Sequence, residues 1–173
     1  MRLPATLLLY AALSLAGMAQ TAVLQWAYGP FATPGDAAFI VEGDPRSGGA
    51  RIHQACGPFA TKGPCLYVIQ GDQVFHSADP YGARGSAAFV AEGDRLLRCS
   101  GPFCTKGSCA LIVEGNKVFR ADGSFCNRQE GAFVLEGNTV HLGEGTFCQK
   151  GDAILVVRGD VPMIALLTVL ANL

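Results

Sequence analysis

Short apolar runs recur along this chain at an almost constant spacing. Each run holds four or five β-branched, aromatic or small apolar residues, and is followed by Gly-Asp or Gly-Asn, a second short run and a link rich in Gly, Phe and Lys. The runs begin at Ala37, Cys65, Ala87, Cys109, Gly131 and Ala153. Successive starts lie 22 residues apart, except for a first interval of 28 that is lengthened by residues 45–50. A fixed period of this length predicts a repeat architecture.

Each 22-residue unit predicts one β-hairpin. The two apolar runs of a unit have the length and the β-branched content of strands. Gly at the first of two central turn positions matches a type II′ turn, which requires φ > 0 at that site. Between residue 20 and Val161, no segment has the period of an amphipathic helix. We therefore predict an all-β domain of six hairpins over residues 20–160.

Alternate units differ, which adds a longer period of 44 residues. Units that begin at Ala37, Ala87 and Gly131 continue with Ala-Phe, whereas two of the other three begin with Cys. Three pseudo-repeats of four strands each, closed by pairing residues 22–27 with residues 153–158, resemble the β-trefoil superfamily. The resemblance is one of fold, since the Gln-x-Trp signature of ricin-type trefoil lectins is absent, and it implies a closed β-trefoil. An open stack of hairpins, similar to membrane-occupation-type or choline-binding repeats, is the alternative, although such a stack must cap its exposed strand edges.

Both ends of the chain depart from the hairpin pattern. Arg2, an apolar run over residues 3–15 and the small residues Gly17 and Ala19 predict a secretory signal peptide at residues 1–19. The mature protein is therefore expected to be secreted or periplasmic, with no transmembrane span. Residues 161–173 form an almost wholly apolar tail that is too short to cross a bilayer. We expect this tail to pack as a short helix or strand over the end of the β-domain, or alternatively to make an oligomer contact or a membrane-surface element.

Seven cysteines follow the predicted signal peptide, and in an oxidising compartment they are best explained as disulfide staples. They are Cys56, Cys65, Cys99, Cys104, Cys109, Cys126 and Cys148. The odd number leaves one thiol free or paired with another chain. Cys56 and Cys65 flank one link and are placed to bridge it. Cys109 is placed to bridge another link by bonding to Cys99 or Cys104. Cys126 and Cys148 occupy matching positions one unit apart, so the spacing leaves the connectivity open.

The formal net charge of −1 makes the chain nearly neutral, which argues against general binding of nucleic acids. One basic residue nevertheless recurs in five links, every 22 residues: Lys62, Arg84, Lys106, Arg128 and Lys150. In an open stack these residues would form one stripe able to hold an anionic polymer, whereas a closed trefoil would spread them around its waist. The alternative is that they are simply solvated link residues.

No motif in the chain predicts catalysis or a bound metal. His53, His76 and His141 lie in different units, and neither a nucleophile elbow nor a phosphate-binding loop is present. Calcium needs six to eight converging oxygen atoms, which is more than the Glu and the Asp or Asn of one turn provide. The cysteines lack the C-x-x-C spacing of a zinc site. We therefore expect a non-enzymatic protein without a metal or cofactor.

A binding module is the function that this pattern favours. Similar hairpins offer several similar shallow sites, and aromatic rings can stack on sugars, so we expect a carbohydrate or cell-envelope glycan as the ligand. The aromatic contacts are predicted at Phe59, Tyr81, Phe103 and Phe125, with core packing as the alternative role of these rings. A second hypothesis is a protein-binding module, such as a protease inhibitor that presents residues 45–51, with Arg46 or Arg51, to a trypsin-like pocket. A third is a structural envelope protein that oligomerises through residues 161–173.

Overall fold

The computed structural model describes residues 21–29, 31–101 and 103–173, and the predicted signal peptide at residues 1–19 lies outside them. The described chain forms twelve strands and one helix. The first six strands are β1 (Thr21–Tyr28), β2 (Thr33–Asp44), β3 (Gly49–Cys56), β4 (Thr61–Gln70), β5 (Gln73–Ser77) and β6 (Arg84–Glu92). The remaining elements are β7 (Arg95–Ser100), β8 (Thr105–Glu114), β9 (Lys117–Asp122), β10 (Asn127–Glu136), β11 (Thr139–Glu144), β12 (Gln149–Arg158) and the helix α1 (Met163–Leu170). The prediction of an all-β domain is confirmed.

All twelve strands belong to one closed antiparallel barrel. Each strand pairs with its neighbours in the chain, and β1 pairs with β12 to close the ring. The closing register runs from Val23 opposite Arg158 to Trp26 opposite Leu155. This register confirms that residues 22–27 pair with the last strand, and closure leaves the described barrel without an unpaired edge strand.

The expected β-trefoil is wrong, and so is the open stack. A β-trefoil places six strands in its barrel and caps it with hairpins, whereas here every strand lies in one ring of twelve. A pattern of four strands per 44 residues fits both arrangements, because a hairpin has the same sequence pattern whether it joins the wall or covers an end. The two folds differ in the width of the barrel. A barrel widens as its strand number rises, so this ring has room for an internal element.

The C-terminal tail supplies that internal element. Helix α1 begins after Pro162, and residues 165–170 are at most 7% exposed. They share one core with inward residues of the strands, among them Val74, Leu96, Val118 and Val140. A helix of eight residues is marginal in water by itself, so its stability depends on this packing. Residues 161–173 therefore contribute an internal plug and not a free apolar surface. Within the described residues, no helix combines the length and the apolar character needed to cross a membrane.

The two ends of the barrel carry different connections. At one end, four two-residue turns join β4 to β5, β6 to β7, β8 to β9 and β10 to β11. Their first residues are Gly71, Gly93, Gly115 and Gly137, with φ between +57° and +64°. This positive φ is what the predicted type II′ turns require. At the opposite end, longer links follow every odd-numbered strand.

Candidate functional site

The six longer links lie together at one end of the barrel, because successive strands of an up-and-down ring reverse direction. Each link carries one aromatic residue with a largely exposed side chain, and we call this set the aromatic crown: Phe31, Phe59, Tyr81, Phe103, Phe125 and Phe147. The exposed fractions run from 77% for Phe147 to 92% for Phe59. Core packing is thus not the role of the four predicted contact residues, and Phe31 and Phe147 occupy corresponding positions.

The backbone of the links explains why these side chains face water. In five links the residue after the aromatic has φ between +50° and +53°: Ala32, Ala60, Cys104, Cys126 and Cys148. In four of them its N–H donates to the carbonyl oxygen of the Gly three positions earlier, at 3.1 to 3.3 Å. The tight turn places the aromatic residue at its corner. The next residue then points back to the barrel wall, and the three cysteines at this position are at most 7% exposed.

The β5–β6 link uses a carboxylate to hold its turn. The Asp79 Oδ1 atom accepts hydrogen bonds from the N–H groups of Tyr81 and Ala83, both at 2.9 Å. Backbone hydrogen bonds, that from Ala83 foremost, lower the pKa of Asp79 below its ordinary value. Bonds to a charged acceptor are stronger than those to a neutral one, so the ionised carboxylate fixes the link that presents Tyr81.

Two disulfides fasten links to the barrel wall. Cys99 bonds to Cys104, which ties the β7–β8 link to the strand before it. Cys109 bonds to Cys126, which ties the β9–β10 link to β8. The predicted pairing of Cys109 with Cys99 or Cys104 is wrong, because a different link lies over Cys109. Its N–H donates to the carbonyl oxygen of Gly123, at the start of the β9–β10 link, at 3.0 Å.

Three thiols, Cys56, Cys65 and Cys148, remain unpaired. The predicted bridge between Cys56 and Cys65 is wrong because the two side chains lie on opposite faces of the sheet. Cys65 stands opposite His53, and Cys56 lies three residues further along β3, where the side chain has alternated to the other face. Cys65 and Cys148 are buried, and burial raises the pKa of both thiols.

The basic link residues are spread around the outside of the barrel, and each has a polar partner on the preceding even-numbered strand. Three ion pairs are Lys62 with Glu42 at 3.1 Å, Arg128 with Glu114 at 2.7 Å and Lys150 with Glu136 at 2.7 Å. Lys106 pairs with Glu92, and Arg84 donates to the Gln70 Oε1 atom at 3.3 Å. Each contact crosses the odd-numbered strand between the two partners. Four of the five basic residues are therefore paired with a carboxylate, and the closed ring keeps the five from converging on one ligand.

The segment predicted as an inhibitor loop is shorter than expected. Residues 45–48 form the turn between β2 and β3, at the end opposite the aromatic crown. The N–H of Arg46 donates to the Asp44 Oδ1 atom at 2.9 Å, and the Arg46 side chain is exposed. Arg51 lies within β3, paired in register with Glu42 and Val68. Residues 45–51 are thus part turn and part strand.

The three histidines do not meet. His53 and His141 are buried on the outer face of the barrel, with their Nδ1 atoms 3.4 and 3.3 Å from the carbonyl oxygens of Gly63 and Gly151. His76 faces the interior, next to the ring of Tyr67. Within the described residues, no group of three or more His, Cys, Asp or Glu side chains is arranged to hold a metal ion.

Comparison of this chain with protein-family models, with curated proteins and with solved structures gave no match. The aromatic crown is therefore interpreted from its geometry and chemistry alone.

Proposed function

We propose that this protein is a secreted or periplasmic, non-enzymatic module that binds a neutral glycan through the aromatic crown. The observation that carries the proposal is the exposure of six aromatic side chains on corresponding links at one end of the barrel. Apolar groups gathered on one exposed surface mark interaction sites. The C–H face of a sugar ring complements the face of an aromatic ring, because that face carries partial negative charge.

The ion pairs on the outer wall favour a neutral glycan over an acidic one. An anionic polymer would have to compete with carboxylates that already contact four of the five basic link residues. At one of these pairs Lys150, by hydrogen bond and charge, lowers the pKa of Glu136, so this carboxylate stays ionised and paired. Stacking on uncharged sugar rings needs no free charge. Binding should therefore resist added salt, which screens exposed charges.

The repetition of the crown suits a polymer. Neighbouring crown residues belong to hairpins two strands apart, which corresponds to about 10 Å at ordinary strand spacing. An extended glycan that contacts one ring is thereby held close to the next, so weak contacts combine through effective concentration. A long glycan should accordingly bind far more tightly than its own disaccharide unit.

The two disulfides support an extracytoplasmic location. Cys99–Cys104 and Cys109–Cys126 both hold links of the crown. Disulfides of this structural kind persist in oxidising compartments and are rare in reducing ones. A protein that displays its binding residues on disulfide-tied links fits a secreted or periplasmic setting.

The test is binding of the oxidised protein to an array of neutral, acidic and cell-envelope glycans, at low and at raised salt. We expect salt-resistant retention on a neutral polymer. Replacing one crown residue, as in Phe59→Ala, should weaken binding about 2- to 12-fold, the effect of one aromatic contact. Joint replacement of Phe59, Tyr81, Phe103 and Phe125 by Ala should abolish it. Met163→Ala is the matched control, since Met163 is an apolar side chain 51% exposed at the opposite end of the barrel.

Three outcomes would contradict the proposal. Unchanged binding by the fourfold variant would remove the crown from the site. Binding to acidic glycans alone, lost in salt, would move the site to the basic link residues. Absence of binding to every glycan on the array would indicate a protein partner instead. Inhibition of trypsin that is lost in Arg46→Ala would then identify that partner as a protease.

A further inference from the structure

Helix α1 does not fill the whole interior of the barrel. A cavity of about 340 Å³ lies between Val169 of the helix and inner-wall residues that include Phe39, Ile52, Tyr67 and His76. Its size falls within the range of about 300–1,000 Å³ that small-molecule pockets occupy. The walls are mainly apolar, and the rings of Tyr67 and His76 lie beside each other with centroids 5.3 Å apart. The cavity thus joins an apolar volume to polar groups at one edge.

Basic side chains line the inner face of the barrel at the level of His76. Side chains alternate along a strand, so residues two positions beyond an inward core residue also face inward. On three strands these residues are basic: His76 follows Val74, Arg98 follows Leu96 and Arg120 follows Val118. All three are exposed, so water reaches this part of the interior from the crown end.

Arg98 differs from the basic residues of the outer wall. Among the described residues, no carboxylate lies within ion-pair distance of its guanidinium, whereas four outer residues are paired. Arg98 stands opposite Phe89 on one side and the bulge at residues 107–108 on the other. His76 stands opposite Tyr67 and the bulge at residues 85–86. None of these neighbours is acidic.

Arg120 has a different surrounding. It stands opposite the bulge at residues 129–130, which contains Glu130. Arg120 also lies farther from the cavity than Arg98, because it is on β9, two strands beyond β7. Of the two arginines, Arg98 is therefore the nearer to His76 at the edge of the cavity, with β6 between their strands and a separation of about 10 Å at ordinary strand spacing.

We propose that the interior of the barrel holds a second site, which binds one alkyl carboxylate with its chain in the cavity and its carboxylate at Arg98 and His76. A planar guanidinium donates two parallel hydrogen bonds to a carboxylate, which makes Arg the suited partner for such a head group. The apolar wall at Phe39, Ile52 and Val169 suits the chain. Since a group the size of water takes about 30 Å³, the cavity has room for roughly ten such groups, which corresponds to a medium-length chain.

The test is titration of the oxidised protein with decanoate below its micelle concentration, followed by calorimetry and by the fluorescence of Trp26. Trp26 is the single tryptophan and packs against the interior core, so its emission reports on the inside of the barrel. We expect saturable binding of one decanoate per protein. Arg98→Gln should weaken it about tenfold, the loss of a hydrogen bond to a charged group. Arg95→Gln is the matched control, because Arg95 lies on the same strand, faces outward and contacts Asp94 at 3.7 Å.

Further variants separate this site from the crown. Leu66→Phe narrows the cavity and should weaken the binding of decanoate, whereas the fourfold crown variant should bind decanoate with unchanged affinity. Absence of saturable decanoate binding would overturn the site. Equal affinity for 1-decanol and decanoate, with no effect of Arg98→Gln, would overturn the assignment of the charged head group. Loss of decanoate binding in the crown variant would show that there is only one site.

Discussion

The residues that lie beneath each link determine whether that link carries a disulfide. Cys104 bonds to a residue five positions earlier, and Cys126 bonds to one 17 positions earlier. For Cys148 both corresponding positions are glycines, Gly143 and Gly131. A Cβ atom at these glycines would lie only 2.4 and 2.6 Å from the Cys148 Sγ atom. The Cys148 side chain therefore fills the volume that a partner would need, and it stays a buried thiol.

The β5–β6 link offers the missing third disulfide. Cys65 and Gly82 are 17 residues apart, as Cys109 and Cys126 are. A Cβ atom at Gly82 would lie 3.3 Å from the Cys65 Sγ atom, and its closer contacts are with the flexible side chain of Arg51. We expect Gly82→Cys to form a disulfide with Cys65. Closing a loop of this length should raise the free energy of unfolding by about 2–3 kcal/mol.

Thiol titration of the denatured protein and thermal unfolding check this prediction. The structure leaves three thiols, so the variant should have two if the bond forms and four if it does not. Gly82→Ser is the control, since it carries the same backbone strain at φ +95° without the thiol. Four thiols, or a Tm no higher than that of Gly82→Ser, would show that the two sites are not equivalent.

At the scale of the hairpin, the β5–β6 link depends on the charge of one carboxylate. The folded pKa of Asp79 is lowered by hydrogen bonds from backbone N–H groups. A carboxyl whose pKa is lower in the folded state stabilises that state above its unfolded pKa of about 4. This stabilisation is lost as the pH falls through the folded pKa. Asp79→Asn should therefore lower Tm at pH 7 and make no difference in strong acid, which a pair of thermal melts measures. A Tm difference of equal size at both pH values would mean that the shape of the side chain, not its charge, holds the link.

The sequence predicted where the links of the crown lie, but left open whether their aromatic side chains are exposed or packed in the core. A periodic Phe is as typical of a core position as of a surface one. The outcome depends on the positive φ of the following residue, and that position holds Ala or Cys in five links, so the usual Gly signal is missing. The ion pairs of the basic link residues could not be predicted from the sequence either. Arg128 and Glu114 become neighbours only because β8, β9 and β10 pair side by side in the barrel wall, which no local pattern specifies.

At the scale of the whole molecule, strand counting predicted closure but not the size of the ring. The unpaired run at residues 22–27 needed a partner, and β12 was the one strand free to supply it. Nothing in the hairpin pattern distinguishes a six-strand barrel with a cap from a twelve-strand wall. The distinguishing element is the apolar tail, which a wide barrel can enclose and a narrow one cannot. The interior basic residues could be located only once that topology was known.

The same dependence of the barrel on its tail gives a test of the architecture. Leu170 is fully buried in the core shared by α1 and the strands, so Leu170→Ala should lower the free energy of unfolding by about 2–5 kcal/mol. Met163→Ala, at a residue 51% exposed, should change it by less than about 0.5 kcal/mol. Deleting residues 163–173 should leave an unfilled apolar interior, which would abolish cooperative unfolding and increase the binding of the dye ANS. Calorimetry, dye fluorescence and light scattering together measure these effects. A deletion variant that kept its Tm and changed only its mass in solution would instead make the tail an oligomer contact and remove α1 from the core.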